Sequence, residues 1–155
     1  MAFRFTEQHA LSLIRPQLFP GEHLLFRMRG VQKPWYSRIL ARAGSLLWRN
    51  FLVVGTNQRV LLLRHRSLLG GYALMSVEGH AYGDIDFMKL GWGLFTKSLK
   101  LRLSGQRLSR KIVLGRFWMA GNFNEAANLV KAWQEQRRAL ASGASPLSLV
   151  GRNAA

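Results

Sequence analysis

The sequence predicts a single mainly β domain closed by a C-terminal helix, and three observations carry that expectation. Short segments of strand character follow one another from residue 22 to residue 114, the gaps between several of them are of hairpin length, and the last runs into a capped amphipathic helix. Length and composition agree. A chain of 155 residues makes one domain that buries roughly 70% of its unfolded surface, and 48% apolar residues with five Trp require a core. The absence of cysteine excludes disulfide scaffolds, thiol enzymes and cysteine-ligated zinc. With 23 Lys and Arg against seven Asp and Glu, the formal net charge is +16, which speaks about partners rather than fold.

Taken in order, Thr6 to Leu13 predicts a short helix: the Thr6 hydroxyl accepts from an early backbone N–H, Glu7 suits the positive pole, and Pro16 stops the run. Pro20-Gly21 is a turn. Strands are then expected over Glu22–Arg29, Arg49–Val54, Arg59–Arg64, Tyr82–Leu90, Phe95–Leu103 and Ser109–Leu114. In Leu99-Lys100-Leu101-Arg102-Leu103 the leucines face one way and the cations the other, the pattern of an antiparallel strand with one wet face. Gly55-Thr56-Asn57-Gln58 and Ser104-Gly105-Gln106 are hairpin-length, so consecutive strands pair.

The closing helix reads as capped by Asn122 with Glu125 as its capping-box partner. Phe123, Ala126, Ala127, Val130 and Trp133 form one apolar stripe, and Arg137 and Arg138 complement the negative pole. The expected organisation is an N-terminal helical segment over residues 1–17 packing on a domain over 18–140, with an insertion at 30–50 and a flexible tail over 141–155. Six or seven antiparallel strands followed by one helix suggest a small barrel or rolled sheet plugged at its open end.

In this order the segments resemble the bacterial pleckstrin-homology-like (PH-like) domain family. The resemblance rests on Leu18-Phe19-Pro20-Gly21-Glu22 before the first strand, on Thr56-Asn57-Gln58-Arg59-Val60-Leu61-Leu62, on Tyr82-Gly83-Asp84-Ile85-Asp86, and on the capped helix, and it spans residues 18 to 138. It implies two bent, nearly orthogonal antiparallel sheets with the helix across one opening, and a binding or scaffolding role. A family-type phosphoinositide pocket would draw on cations around the first hairpin, where Arg27, Arg29, Lys33 and Arg38 lie. Gly30 to Asn50 departs from the family as a long insertion where a shorter connection is usual. Read physically, Thr56 and Asn57 suit a turn, Arg59 begins the returning strand with its charge outward, and Asp84 bonds nearby backbone N–H groups.

Catalytic chemistry is poorly provided for, and no catalytic residue, metal or cofactor is expected. Of the carboxylates only Asp84 and Asp86 lie close, sharing a strand face at i, i+2; with His80 they offer metal-ligand donor types, yet they read as solvated carboxylates among cations. His9, His23, His65 and His80 lack the i, i+4 spacing of a helix-borne ligand pair. No Gly-x-Ser-x-Gly occurs, and Gly91-Trp92-Gly93 lacks the third glycine and the following Lys of a phosphate loop.

The insertion is more informative. If residues 34–50 are helical, Arg38, Arg42 and Arg49 fall within about 40° of one another, beside an apolar arc that includes Trp35, Tyr36, Ile39 and Leu46. That arc either packs on the domain or on another subunit, or rests in a bilayer interface, where Trp35, Tyr36 and Trp48 suit the headgroup zone. Lys33, Arg38, Arg42 and Arg49 would supply about 4 kcal/mol near an anionic leaflet, at roughly 1 kcal/mol per cation. The candidate anion-binding residues are therefore Arg27, Arg29, Lys33, Arg38, Arg42 and Arg49. The candidate interfacial residues are Trp35, Tyr36, Ile39 and Leu46. Further cations are spread over the strands, among them Lys97, Lys100, Arg102 and Lys111.

Three functions follow. The first is a non-enzymatic module engaging an anionic surface, such as the inner membrane leaflet or an acidic protein. The second is a protein-interaction or self-assembling scaffold subunit, a homo-oligomer in the latter case. Nucleic-acid binding ranks third, because the most regular strand interleaves its cations with Leu rather than aromatic residues. No run approaches the roughly 18 apolar residues of a membrane span, and no export signal is visible, so the expected location is cytoplasmic, with peripheral attachment to the inner membrane under the first function.

Overall fold

The computed structural model of the chain describes residues 5–33, 48–68, 71–116 and 118–143. Helix α1 (Glu7–Ile14) opens it, with the Thr6 hydroxyl accepting from the His9 N–H, and a 3-10 turn over Arg15–Gln17 carries Pro16, which cannot continue the helix. Seven strands follow: β1 (Leu24–Gln32), β2 (Arg49–Thr56), β3 (Arg59–Leu68), β4 (Gly71–Ala81), β5 (Ile85–Gly91), β6 (Thr96–Leu103) and β7 (Arg110–Gly115). Helix α2 (Asn122–Ala141) closes the described chain. The architecture is the expected one, mainly β with a C-terminal helix. All strand pairs are antiparallel in the order β4-β3-β2-β1-β7-β6-β5, and the sheet is not closed between β4 and β5.

Strand β4 has no counterpart among the predicted elements. Its register against β3 shifts between Arg64 and His65, so its apolar residues do not alternate cleanly. The expected insertion also shrinks. Gln32 ends β1 and Arg49 begins β2, so Arg49 and Asn50 are strand rather than the end of a helix. Residues 34–47 and the tail from 144 onward lie outside the described residues.

The sheet bends into two wings, β1 to β4 and β5 to β7, whose strands pair with each other at Gly30 opposite Leu114 and Val31 opposite Val113. A Cβ on Gly30 would stand 2.4 Å from Ile112 Cγ2, so this crossing admits no side chain. Asn122 completes the seam. Its Oδ1 accepts from the Arg29 N–H, and its Nδ2 donates to the Arg29 and Gly115 carbonyls, each at 2.8 Å. Asn122 is therefore no helix cap. The N-cap position is Gly121, in the left-handed region at φ 70°, and the Asn122 amide is spent joining β1 to β7. The helix buries Ala126, Leu129 and Trp133, while Ala127, expected in the apolar stripe, is exposed.

Two cores result. One fills the space between the wings and α2, with Met28, Leu62, Met88, Leu101, Leu114 and Leu129 among its members. The other lies on the opposite face of the first wing, where Phe5, Ala10 and Ile14 pack on Leu52, Val54, Leu61 and Leu63. Strands β2 and β3 are thus covered on both faces, which is why Phe51 to Val54 and Val60 to Leu63 are continuously apolar.

A buried carboxylate clasps the first wing. Glu22, whose side chain has no exposed surface, accepts from the Phe19 N–H at 2.8 Å, the Thr56 hydroxyl at 2.7 Å, and Arg59 through Nε at 2.9 Å and Nη2 at 3.0 Å. Arg59 also donates to the Gln17 carbonyl and lies over the Phe19 ring, and Tyr82 donates its hydroxyl to the Thr56 carbonyl. The guanidinium therefore turns inward, against the expectation of an outward charge, because a desolvated carboxylate needs a paired cation. Burial alone would raise the Glu22 pKa; the bonds from Arg59, Phe19 and Thr56 outweigh it and hold the group at about 2, below its ordinary 4.5. Burial pushes the Tyr82 phenol up, and the Glu22 charge adds to the effect.

His65 of β3 is 2% exposed, stacked on Phe5 at 4.9 Å, with the Tyr72 ring edge-on to it at 5.7 Å. Burial, helped by the Arg29 charge, lowers its pKa from 6.5 to about 4.

Two outcomes are expected. Arg59→Met strands the Glu22 charge and lowers stability by about 3–5 kcal/mol in urea unfolding, and adding Glu22→Gln restores part of the loss. Strictly additive losses would show that the charge pair is not the source. On acidification the unfolded chain protonates His65 before the folded one, so stability falls by about 3 kcal/mol between pH 6.5 and 4. Protonation of Glu22 removes more between pH 4.5 and 2. His65→Phe flattens the upper step in pH-dependent unfolding; an unchanged step assigns it elsewhere.

Candidate functional site

The outer face of the sheet is treated differently on its two wings. Over β1 to β3 it is covered by α1 and Phe5. Over β5 to β7 none of the described helices covers it, and the register lines up cations across it: Lys89 of β5 stands opposite Lys100 of β6, and Lys100 stands opposite Lys111 of β7. All three are exposed. Neighbouring strands are about 4.8 Å apart, so the three side chains form a row across the sheet. Among the described residues none of the three makes an ion pair. Like charges directly opposite destabilise a sheet, so the row works against the fold that carries it. Arg102 extends it along β6, while Leu99, Leu101 and Leu103 point into the core.

At one end of these strands the β5–β6 hairpin exposes Trp92 by 98%, Leu94 by 66% and Phe95 by 64%. Between this tip and the start of α2 lies a cleft of about 590 Å³, lined by Trp92, Leu94, Lys97, Arg116, Phe123 and Asn124. Lys97 Nζ sits 4.9 Å from the Phe123 ring centroid. Leu108, 83% exposed, marks the opposite end, on the β6–β7 connection.

The residues singled out from the sequence are distributed otherwise. Arg27 is paired with Glu7 of α1. Arg29 lies over the Phe5 ring at 4.5 Å, and burial lowers its pKa. Lys33 and Arg49 are exposed, Lys33 with its ammonium 4.2 Å from the Trp48 ring centroid. Arg38, Arg42, Trp35, Tyr36, Ile39 and Leu46 lie outside the described residues. Asp84 ends a 3-10 turn over Tyr82–Asp84 and Asp86 lies in β5 at a register shift, so the two do not share a strand face as expected. Asp86 accepts from the Ser104 hydroxyl, and His80 lies 3.6 Å from Glu78, which pairs with Arg110 across the wings.

Sequence reasoning placed Lys100 and Arg102 on one strand face but missed the row. Its signal was the pair of short connections flanking β6, which fix which residues of β5 and β7 stand beside Lys100.

Neither a family model nor a curated protein matches the chain. Among solved structures, the hSac2 domain of the human phosphoinositide phosphatase Sac2 superposes with a TM-score of 0.52 at 10% identity, over 88% of this chain and 86% of that one. The likeness is one of fold. A pleckstrin homology domain from Shewanella amazonensis SB2B gives a TM-score of 0.42 at 22% identity, over 69% of this chain and 81% of that one. A DUF1696 family protein with a pleckstrin-homology domain from Shewanella loihica PV-4 gives 0.42 at 16% identity, over 81% and 97%. No helix among the described residues is long and apolar enough to cross a membrane.

Lys100→Glu places a carboxylate between two lysines and is expected to raise stability by about 0.5–1 kcal/mol at low ionic strength, with the gain shrinking as salt screens it. Thermal unfolding at two salt concentrations reads this, and a loss of stability at both would refute the repulsion.

Proposed function

We propose that this chain is a non-enzymatic PH-like binding module that adsorbs peripherally to an anionic surface, the inner leaflet of a membrane, through Lys89, Lys100 and Lys111. The observation that carries the reading is the row itself, unpaired among the described residues, an arrangement that works against the sheet and that an external negative charge would offset. Arg102 joins it on the same face, and the exposed Lys33 and Arg49 add to the field. Near an anionic leaflet each lysine contributes roughly 1 kcal/mol, so the row changes partitioning by about a hundredfold. The attraction decays over about 10 Å at 0.1 M salt, which makes adsorption reversible and salt-sensitive.

A second reading, a scaffold that assembles with its own copies, draws on β4, an edge strand of 11 residues with Met75 and Val77 exposed. A mass in light scattering that stays monomeric at every concentration would remove it.

For the first reading, wild type is expected to cosediment at low salt with vesicles of phosphatidylglycerol and phosphatidylcholine and to leave phosphatidylcholine vesicles unbound. Changing Lys89, Lys100 and Lys111 together to Gln weakens binding about a hundredfold. Equal binding to both vesicle types, or tighter binding to single-stranded RNA than to the anionic vesicles, overturns it.

A further inference from the structure

We infer that the β5–β6 hairpin is an apolar wedge that enters the interfacial region of an anionic bilayer while the lysine row holds the headgroups. This rests on the membrane reading above and adds penetration to it. Trp92, Leu94 and Phe95 are 98, 66 and 64% exposed within four consecutive residues. They join the two strands that carry Lys89 and Lys100. A single exposed apolar side chain is ordinary, but a contiguous group rimmed by cations marks a contact surface.

The tip is a built turn. A Cβ on Gly93 would fall 1.7 Å from the Thr96 carbonyl oxygen, so the backbone closes on itself where only glycine fits. The Phe95 carbonyl accepts from the Arg116 N–H at 3.0 Å, tying the tip to the end of β7. The apolar side chains are thus presented by a fixed frame. Charge complementarity selects the occupant. A surface that meets the lysine row must be acidic, and one that also accepts Trp92, Leu94 and Phe95 must offer apolar volume just behind its charges. An anionic bilayer has that layering, with Trp suited to the headgroup boundary and Leu and Phe to the acyl side.

Phosphatidylglycerol vesicles mixed with phosphatidylcholine brominated at the headgroup end of its acyl chains quench tryptophans seated at the headgroup boundary. Bound wild type is expected to show quenching that Trp92→Phe, compared at equal bound fraction, largely loses. Changing Trp92, Leu94 and Phe95 together to Ala is expected to weaken binding by more than about tenfold at low salt. That variant is also released fully by high salt, where wild type keeps a residual bound fraction. Unaltered thermal unfolding of the variants confirms that the frame is intact. Equal quenching of wild type and Trp92→Phe, with both proteins bound, overturns the wedge and leaves the lysine row standing. Absence of wild-type binding at low salt overturns both.

Discussion

The buried pairing of Glu22 with Arg59 is the interaction on which the first wing depends. It gathers stretches that are remote in sequence: the Phe19 amide precedes β1, Thr56 and Arg59 flank the β2–β3 turn, and Tyr82 enters through Thr56 from the connection between β4 and β5. Asn57 adds to the knot, accepting from the His23 N–H and donating to the Gly21 carbonyl. Phe19, Gly21, Glu22, Thr56, Asn57, Arg59 and Tyr82 belong to the motifs that carry the resemblance to PH-like domains, beside the closing helix. That part of the resemblance rests on a structural clasp, and it carries information about architecture rather than about what the domain holds.

Where one strand's own pattern determines its environment, the sequence was legible. Strand β6 alternates Leu with Lys and Arg and has one wet face; β2 and β3 are apolar without interruption and are covered on both. The Thr6 cap and the stop at Pro16 depend on neighbours in the chain and were equally readable. What was not readable depends on partners far away. Asn122 has the chemistry of a helix cap, and only the narrow β1–β7 seam, 93 residues from it at Arg29, diverts its amide. Arg59 reads as outward because strand ends normally face water; a carboxylate 37 residues earlier reverses it. Strand β4 was hidden by its irregular register. The lysine row exists in no single segment, since each of its members comes from a different strand.

The two wings use one continuous sheet to opposite ends. On the first, α1 supplies apolar cover through Phe5, Ala10 and Ile14, and Glu7 pairs with Arg27. The cations of the first hairpin, candidates for an anion by sequence, are partly committed to holding that helix. On the second wing none of the described helices covers the outer face, and cations line up across it. The contrast arises from burial: a cation beside a packed helix must be paired or laid over a ring, as Arg27 and Arg29 are, whereas one on a bare face can remain hydrated.

Because Lys100 alternates with Leu99 and Leu101, a slip of β6 by one residue would turn the lysine into the core and a leucine into water. The spacing of the three ammonium groups is consequently held by the backbone ladder rather than by side-chain packing, and the apolar interior polices it. Evolution can change the strength of this charged patch by exchanging side chains, but it cannot move the patch without rebuilding the core.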